Sequence, residues 1–175
     1  MCATQFCEWT AIYTNALAEI GSSAKQKINM EKIMATIELV SVYNEQASYG
    51  ILYDLLAERT PEESISHKAL PMYSKHIEFV DSKPYKAWYL VIEESEGYVG
   101  AVYLSRQNEI GVGIFKVHRG NGYGEAAVKE LMRRCPLPEG ERYLANVNPS
   151  NDVSRAMFEK LGAKVIQYTY EVPSQ

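Results

Sequence analysis

The chain has 175 residues, of which 46% are apolar and 23% are charged, so we expect one globular domain and exclude a disordered or collagen-like chain. A net charge of −4 and a pI near 5.5 argue against nucleic-acid or membrane-surface binding, because such surfaces need clustered Lys and Arg. Three cysteines without metal-ligand spacing predict no metal site and favour a cytoplasmic location, and we expect neither a membrane-spanning helix nor a signal peptide.

The first part of the chain reads as an extension. Apolar residues recur at helical spacing from Trp9 to Ile20, a polar stretch follows, and Met34–Val42 then alternates like a strand. We predict a short amphipathic helix within residues 1–33 and a separate domain over residues 34–175. A helix docked on that domain is the alternative.

The remaining elements follow from periodicity and from Gly, Pro and capping signals. We predict helices from about Asn44 to Arg59, Pro71–Val80, Gly122–Arg134 and Asn151–Leu161. We predict strands at Met34–Val42, Lys86–Ile92, Tyr98–Ser105, Glu109–Val117, Tyr143–Val147 and Lys164–Val172. The short turns between the second, third and fourth strands favour antiparallel hairpins.

A glycine-rich turn lies where the fourth strand is followed by a helix. Residues 119–125 read Arg-Gly-Asn-Gly-Tyr-Gly-Glu. Glycine permits positive φ and a close backbone approach, and exposed N–H groups at a helix start favour anions. The turn therefore predicts a phosphate site. A dinucleotide fold needs different glycine spacing and more chain, and no Gly-Lys-Ser/Thr of a nucleotide P-loop follows.

A second motif follows the glycine turn. Residues 148–163 read Asn-Pro-Ser-Asn-Asp-Val-Ser-Arg-Ala-Met-Phe-Glu-Lys-Leu-Gly-Ala. Together, the two motifs resemble the GNAT superfamily of N-acetyltransferases over roughly Met34–Val172. The resemblance implies an α/β (α+β) fold with a mostly antiparallel sheet of about six to seven strands, helices on both faces, and a splayed pair formed by the fourth and fifth strands. It also implies acetyl-CoA as co-substrate.

The resemblance assigns cofactor contacts to three places. The main chain of Val112, Gly113 and Ile114 would pair with the pantetheine arm, and Asn151 would hydrogen-bond it. The pyrophosphate would lie in the turn formed by Arg119, Gly120, Asn121, Gly122, Tyr123, Gly124 and Glu125. For Asn151 the structural alternative is a helix N-cap.

The catalytic residues depart from the common family pattern. Many GNAT enzymes carry, at the position of Phe158, a Tyr that protonates the leaving sulfur, and some carry a Glu base at the position of Asn146. Ser154 matches a Ser of enzymes that acetylate ribosomal-protein N-termini, so it is the candidate acid. Glu109 is the candidate base, with His67 and His118 as alternatives. Each of these residues could equally be structural.

The acceptor is expected to be a primary amine of a small molecule, such as an amino sugar, or a protein N-terminus. The polar loop Glu58–His67 and the aromatic residues Tyr85, Trp88 and Tyr89 are candidates for its pocket, although the aromatics also suit a core. Homodimers are common in the resembled family. The alternatives are a non-catalytic acetyl-CoA sensor and a flavin- or nicotinamide-dependent enzyme.

Overall fold

The computed structural model describes residues 36–64, 69–170 and 172. Single 3-10 turns occur at Val42–Asn44, Pro61–Glu63 and Lys116–His118. The helices and strands are β1 (Ile37–Ser41), α1 (Ser48–Ala57), α2 (Tyr73–Asp81), β2 (Ala87–Glu93), β3 (Gly97–Leu104), β4 (Ile110–Ile114), α3 (Tyr123–Arg134) and α4 (Asp152–Lys160). The predicted helix within residues 1–33 lies outside the described residues.

The four strands form one antiparallel sheet in the order β1-β2-β3-β4. The tight turns that join them use left-handed backbone at Gly97 (φ 75°) and Asn108 (φ 62°), a conformation that Gly and Asn adopt most readily. The predicted hairpins from the second to the fourth strand are therefore confirmed.

Apolar side chains cover both faces of the sheet because residues alternate between its faces. One cluster packs the sheet against α3, and buried Val91, Val102 and Leu104 meet Val128 and Leu131 there. The other cluster packs the opposite face against α1 and α2 and contains Val42, Leu52, Leu55, Val80, Trp88, Leu90 and Ala101. Helices on both faces of an α/β fold are thus confirmed.

Two predicted boundaries move by a few residues. β4 ends at Ile114 rather than at Val117, because Lys116–His118 turns away as a 3-10 helix. In addition, α2 begins at Tyr73 after Met72 as its N-cap, so Pro71 precedes the helix instead of lying in its first turn.

The expected count of six to seven strands is not confirmed, since the described part of the chain forms four. The stretch predicted as a strand at 143–147 contributes a single parallel bridge, between Glu109 and Leu144. No described residue of the predicted last strand, Lys164–Val172, lies in a strand, and Ile166, Tyr168 and Tyr170 are exposed. Alternation gives a stretch two faces, but a strand also needs a partner for its backbone hydrogen bonds.

Candidate active site

Along most of its outer edge, β4 has no strand partner among the described residues. Ile110 N–H donates to the Leu144 carbonyl at 2.7 Å, and Leu144 N–H donates to the Asn108 carbonyl at 2.9 Å. Beyond that point the described residues after Leu144 make no backbone hydrogen bond with β4. The two segments begin as parallel neighbours and then part, as the family resemblance implies, although the second segment does not form a strand.

The direction of the β4 backbone groups follows from the strand alternation. Ser105 N–H donates to the Glu109 carbonyl, and Phe115 N–H donates to the Val99 carbonyl, so odd-numbered residues face β3. Even-numbered residues therefore face the open edge. The main-chain groups of Val112 lie there without a partner among the described residues, whereas the Ile114 carbonyl accepts from Arg119 Nε at 2.9 Å.

The glycine turn joins β4 to α3 with an open interior. Gly120 and Gly122 have φ of 83° and 81°, and a Cβ at either position would meet no atom within 4 Å. The main-chain N–H groups of residues 120–125 have no acceptor among the described residues. Because α3 begins at Tyr123, the first-turn amides and the helix dipole both favour an anion at this point.

The third glycine of the turn serves helix packing. A Cβ on Gly124 would lie 3.1 Å from the Met157 sulfur of α4, so glycine lets the two helices approach closely. Glu125, one residue further, is paired with Lys129 at 2.7 Å and Lys160 at 2.6 Å. These lysine hydrogen bonds hold the pKa of the Glu125 carboxyl below its usual range.

Arg119 is held by a glutamate that the sequence did not single out. Its Nη1 lies 2.6 Å from Glu63 Oε1 and its Nη2 lies 3.2 Å from Glu63 Oε2, which is a fork-shaped pair. Burial raises the pKa of the Glu63 carboxyl, but hydrogen bonding and charge from Arg119 outweigh burial and the net pKa is lowered. The guanidinium expected at the pyrophosphate therefore already has an anionic partner.

Glu109 lies where β4 and the segment after it part. Its Oε1 accepts a hydrogen bond from Asn146 Nδ2 at 2.8 Å, and the hydroxyl of the buried Ser105 lies 3.4 Å from its Oε2. The resemblance aligns Asn146 with a Glu base. Asn146 hydrogen-bonds the carboxylate of Glu109, the residue that is the candidate base in this chain. Ser105 was missed by the sequence analysis.

Ser154 and Asn151 lie together at the start of α4. Asn151 Oδ1 accepts from Ser154 N–H at 2.9 Å, so Asn151 is the N-cap of α4, as its structural alternative predicted. Ser154 is half-buried, and its hydroxyl makes no hydrogen bond with the described part of the chain. Phe158, one helical turn later, packs against the apolar cluster under α3.

Two of the candidate pocket aromatics pack in the core, and one candidate base lies near a glutamate. Tyr85 stacks on Tyr103 at 4.0 Å and meets Trp88 edge-on at 4.9 Å, so these aromatics form core. His118 Nδ1 lies 3.6 Å from Glu96. His67 lies outside the described residues.

These features are the architecture expected of an N-acetyltransferase. The acetyltransferase (GNAT) domain profile matches residues 44–164. The fold is similar to a domain from Methanocaldococcus jannaschii, with a TM-score of 0.67 and 18% identity over 78% of this chain and 93% of that chain. It is also similar to a phosphinothricin acetyltransferase from Sinorhizobium meliloti in complex with acetyl-CoA, with a TM-score of 0.54 and 16% identity over 74% of each chain.

A further similar structure is the ribosomal-protein-alanine N-acetyltransferase from Brucella melitensis, with a TM-score of 0.54 and 19% identity over 73% of this chain and 83% of that chain. No curated protein matches this chain. The chain belongs to the GNAT acetyltransferase family, and the prediction of an acetyltransferase enzyme is confirmed.

Two further properties concern the described ranges. None of their helices is both long and apolar enough to cross a lipid bilayer. They contain no group of three or more His, Cys, Asp or Glu side chains that could hold a metal ion.

Proposed function

We propose that this enzyme transfers the acetyl group of acetyl-CoA to a primary amine. The observation that carries the proposal is the row of main-chain amides at residues 120–125, which have no acceptor in the described part of the chain. Free amides at a helix start are suited to the diphosphate of coenzyme A. A Cβ at Gly120 or Gly122 would meet no atom within 4 Å, so the turn is uncrowded beside both glycines.

Three parts of the chain fit the co-substrate. Residues 120–125 would hold the diphosphate through their amides, with Glu125 acting through its N–H because its carboxylate is already paired. The open main-chain groups of Val112 would pair with the pantetheine arm, in the way that a strand is added to a sheet edge. Gly113 and Ile114 follow Val112, and of these two only Ile114 has main-chain groups that face the open edge, because odd-numbered residues are bonded to β3. Asn151 would contact the arm in addition to capping α4.

Acetyl-CoA supplies an acetyl group activated as a thioester. We propose that Glu109 takes a proton from the acceptor ammonium, directly or through water, because the donors Asn146 and Ser105 fix its carboxylate beside the open edge. Ser154 is the proposed donor to the departing sulfur, since Phe158 has no proton to give. A hydroxyl near the start of α4 also lies in a region of positive helix dipole.

The proposed acceptor is an amine of a small molecule, with amino sugars included, or a protein N-terminus. An ammonium group suits the acidic segment that contains Glu58, Glu62 and Glu63. This segment contacts the residues after β4 through Glu58 and Glu63. We further propose that residues 34–175 form the acetyltransferase domain, that residues 1–33 are an N-terminal extension, and that the protein is cytoplasmic.

Calorimetric titration with coenzyme A and with pantetheine tests the diphosphate site. We expect coenzyme A to bind much more tightly than pantetheine, because only coenzyme A has the diphosphate and the phosphorylated adenosine attached to it. Equal affinities would refute the site.

Release of free thiol from acetyl-CoA, measured over a panel of amino sugars, polyamines and peptides, tests the transfer. Tight binding of acetyl-CoA without turnover on any amine would favour the sensor alternative.

A further inference from the structure

One short segment crosses the mouth of the open edge of β4. We call residues Glu58–Ser64 the strap. On one side, Glu58 Oε2 accepts from Lys116 N–H at 2.8 Å, and Glu63 pairs with Arg119. On the other side, Asn148 Nδ2 donates to the Ser64 carbonyl at 3.0 Å. Because Lys116 and Arg119 follow β4 and Asn148 precedes α4, the strap joins the two sides of the opening.

The Glu63–Arg119 pair lies next to the amides of the glycine turn. Arg119 directly precedes Gly120, and its guanidinium uses Nε on the Ile114 carbonyl and both Nη atoms on the Glu63 carboxylate. A carboxylate and a phosphate oxygen pair engage an arginine fork in the same geometry. A diphosphate in the turn would therefore meet an arginine already occupied by an anion, and that anion would repel it.

We propose that Glu63 is a positioning residue that keeps the strap closed over the opening by competing with the diphosphate for Arg119. In the free protein the ion pair holds the strap in place. When coenzyme A binds, the Arg119 guanidinium pairs with the diphosphate instead of the Glu63 carboxylate. The strap then loses one of the contacts that hold it in place. The inference rests on the proposed function and adds that co-substrate binding loosens the strap.

Affinity measurements test the competition. We compare Glu63→Gln with Glu62→Gln, since both remove one carboxylate from the same 3-10 turn and Glu62 makes no pair with Arg119. Glu63→Gln is expected to bind coenzyme A about two- to fivefold more tightly than Glu62→Gln, the size of a partly exposed ion pair, and pantetheine affinity is expected to be equal in both. Equal or weaker coenzyme A binding by Glu63→Gln overturns the proposal.

Trypsin cleavage after Arg59 reports directly on the strap, because Arg59 lies within it and is exposed. In the wild-type protein, saturating coenzyme A is expected to speed this cleavage and pantetheine to leave it unchanged. Glu63→Gln is expected to be cleaved quickly without any ligand. Protection of Arg59 by coenzyme A overturns the proposal.

The two proposals fail in different ways. If the wild-type protein and both variants bind no coenzyme A, the proposed function and the strap mechanism both fall. If all three bind it with equal affinity and equal cleavage at Arg59, the strap mechanism alone falls and the diphosphate site stands.

Discussion

Replacing Gly120 by Ala separates backbone strain from ligand binding. Gly120 has φ of 83°, and Gly140, in the loop after α3, has φ of 86°. A Cβ at either glycine would meet no atom within 4 Å, so the two substitutions introduce the same left-handed strain and no clash. Each is expected to cost about 1–2 kcal/mol of folding free energy, which lowers Tm by about 2–4 °C for each kcal/mol in a chain of this size.

Only Gly120 lies in the proposed diphosphate turn, so the two variants are expected to differ in binding. We expect the added methyl group at position 120 to interfere with the diphosphate and to cost it one of the amide hydrogen bonds. Loss of one hydrogen bond to a charged group is worth about 1.5–3 kcal/mol, or about ten- to hundredfold in affinity. Thermal unfolding and calorimetric titration with coenzyme A are compared for Gly120→Ala and Gly140→Ala. Equal affinities at equal Tm would refute the assignment of the turn.

Three further outcomes are expected. Glu109→Gln should lower kcat about a hundredfold and leave the affinity for coenzyme A unchanged. Its control, Glu141→Gln, removes the carboxylate bonded to neighbouring Asn108 and should leave kcat unchanged. Equal rates of the two variants in steady-state assays would exclude Glu109 as the base. Gly111→Ala should destabilise the protein by about 1–3 kcal/mol, because its Cβ would overlap the Tyr103 ring. Gly50→Ala, with open space around its Cβ, should instead stabilise it by up to about 1 kcal/mol, and urea unfolding measures both changes. Burial lowers the pKa of His76 below its usual 6.5, despite the hydrogen bond of its ring to the Tyr49 carbonyl. The neutral ring therefore stabilises the fold fully above pH 6.5, and this stabilisation is lost as pH falls through the folded-state pKa. The free energy of unfolding should consequently change less between high and low pH in His76→Gln than in the wild-type protein.

Local signals in the sequence predicted much of the fold and the position of the glycine turn. The hairpins depend on short turns, and the glycine turn depends on glycines that directly precede a helix. The capping role of Asn151 depends on a contact only three residues away. Each of these features is encoded within a few neighbouring residues, so a single sequence is sufficient to find it.

Contacts between distant parts of the chain were not predictable in the same way. Glu63 and Arg119 are 56 positions apart, and Asn148 and Ser64 are 84 apart. A polar loop and an isolated Asn carry no pattern that would pair them. Tyr143 is a similar case, because its hydroxyl donates to the Cys135 carbonyl at 2.7 Å and so serves the last turn of α3, where helix carbonyls lack internal partners.

The absence of a last strand from the described residues has a different cause. Residues 164–172 alternate as a strand does, but alternation is a property of one segment and pairing is a property of two. The expected fifth strand likewise touches β4 at one bridge only. Because this stretch leaves β4 after that bridge, the main chain of Val112 has no partner among the described residues. The proposed binding edge therefore lies where the predicted fifth strand did not form.

The main-chain groups of β4 point alternately towards β3 and towards the open edge. This alternation restricts where residues can be inserted into or deleted from the chain. Odd-numbered residues are bonded to β3, and Val112 therefore presents its main-chain groups outward. One residue inserted or deleted in the turn Arg106–Asn108 would shift the strand by one position and turn those groups inward. Insertions of single residues should consequently accumulate in loops elsewhere, while this hairpin keeps its length among proteins that use the edge in the same way.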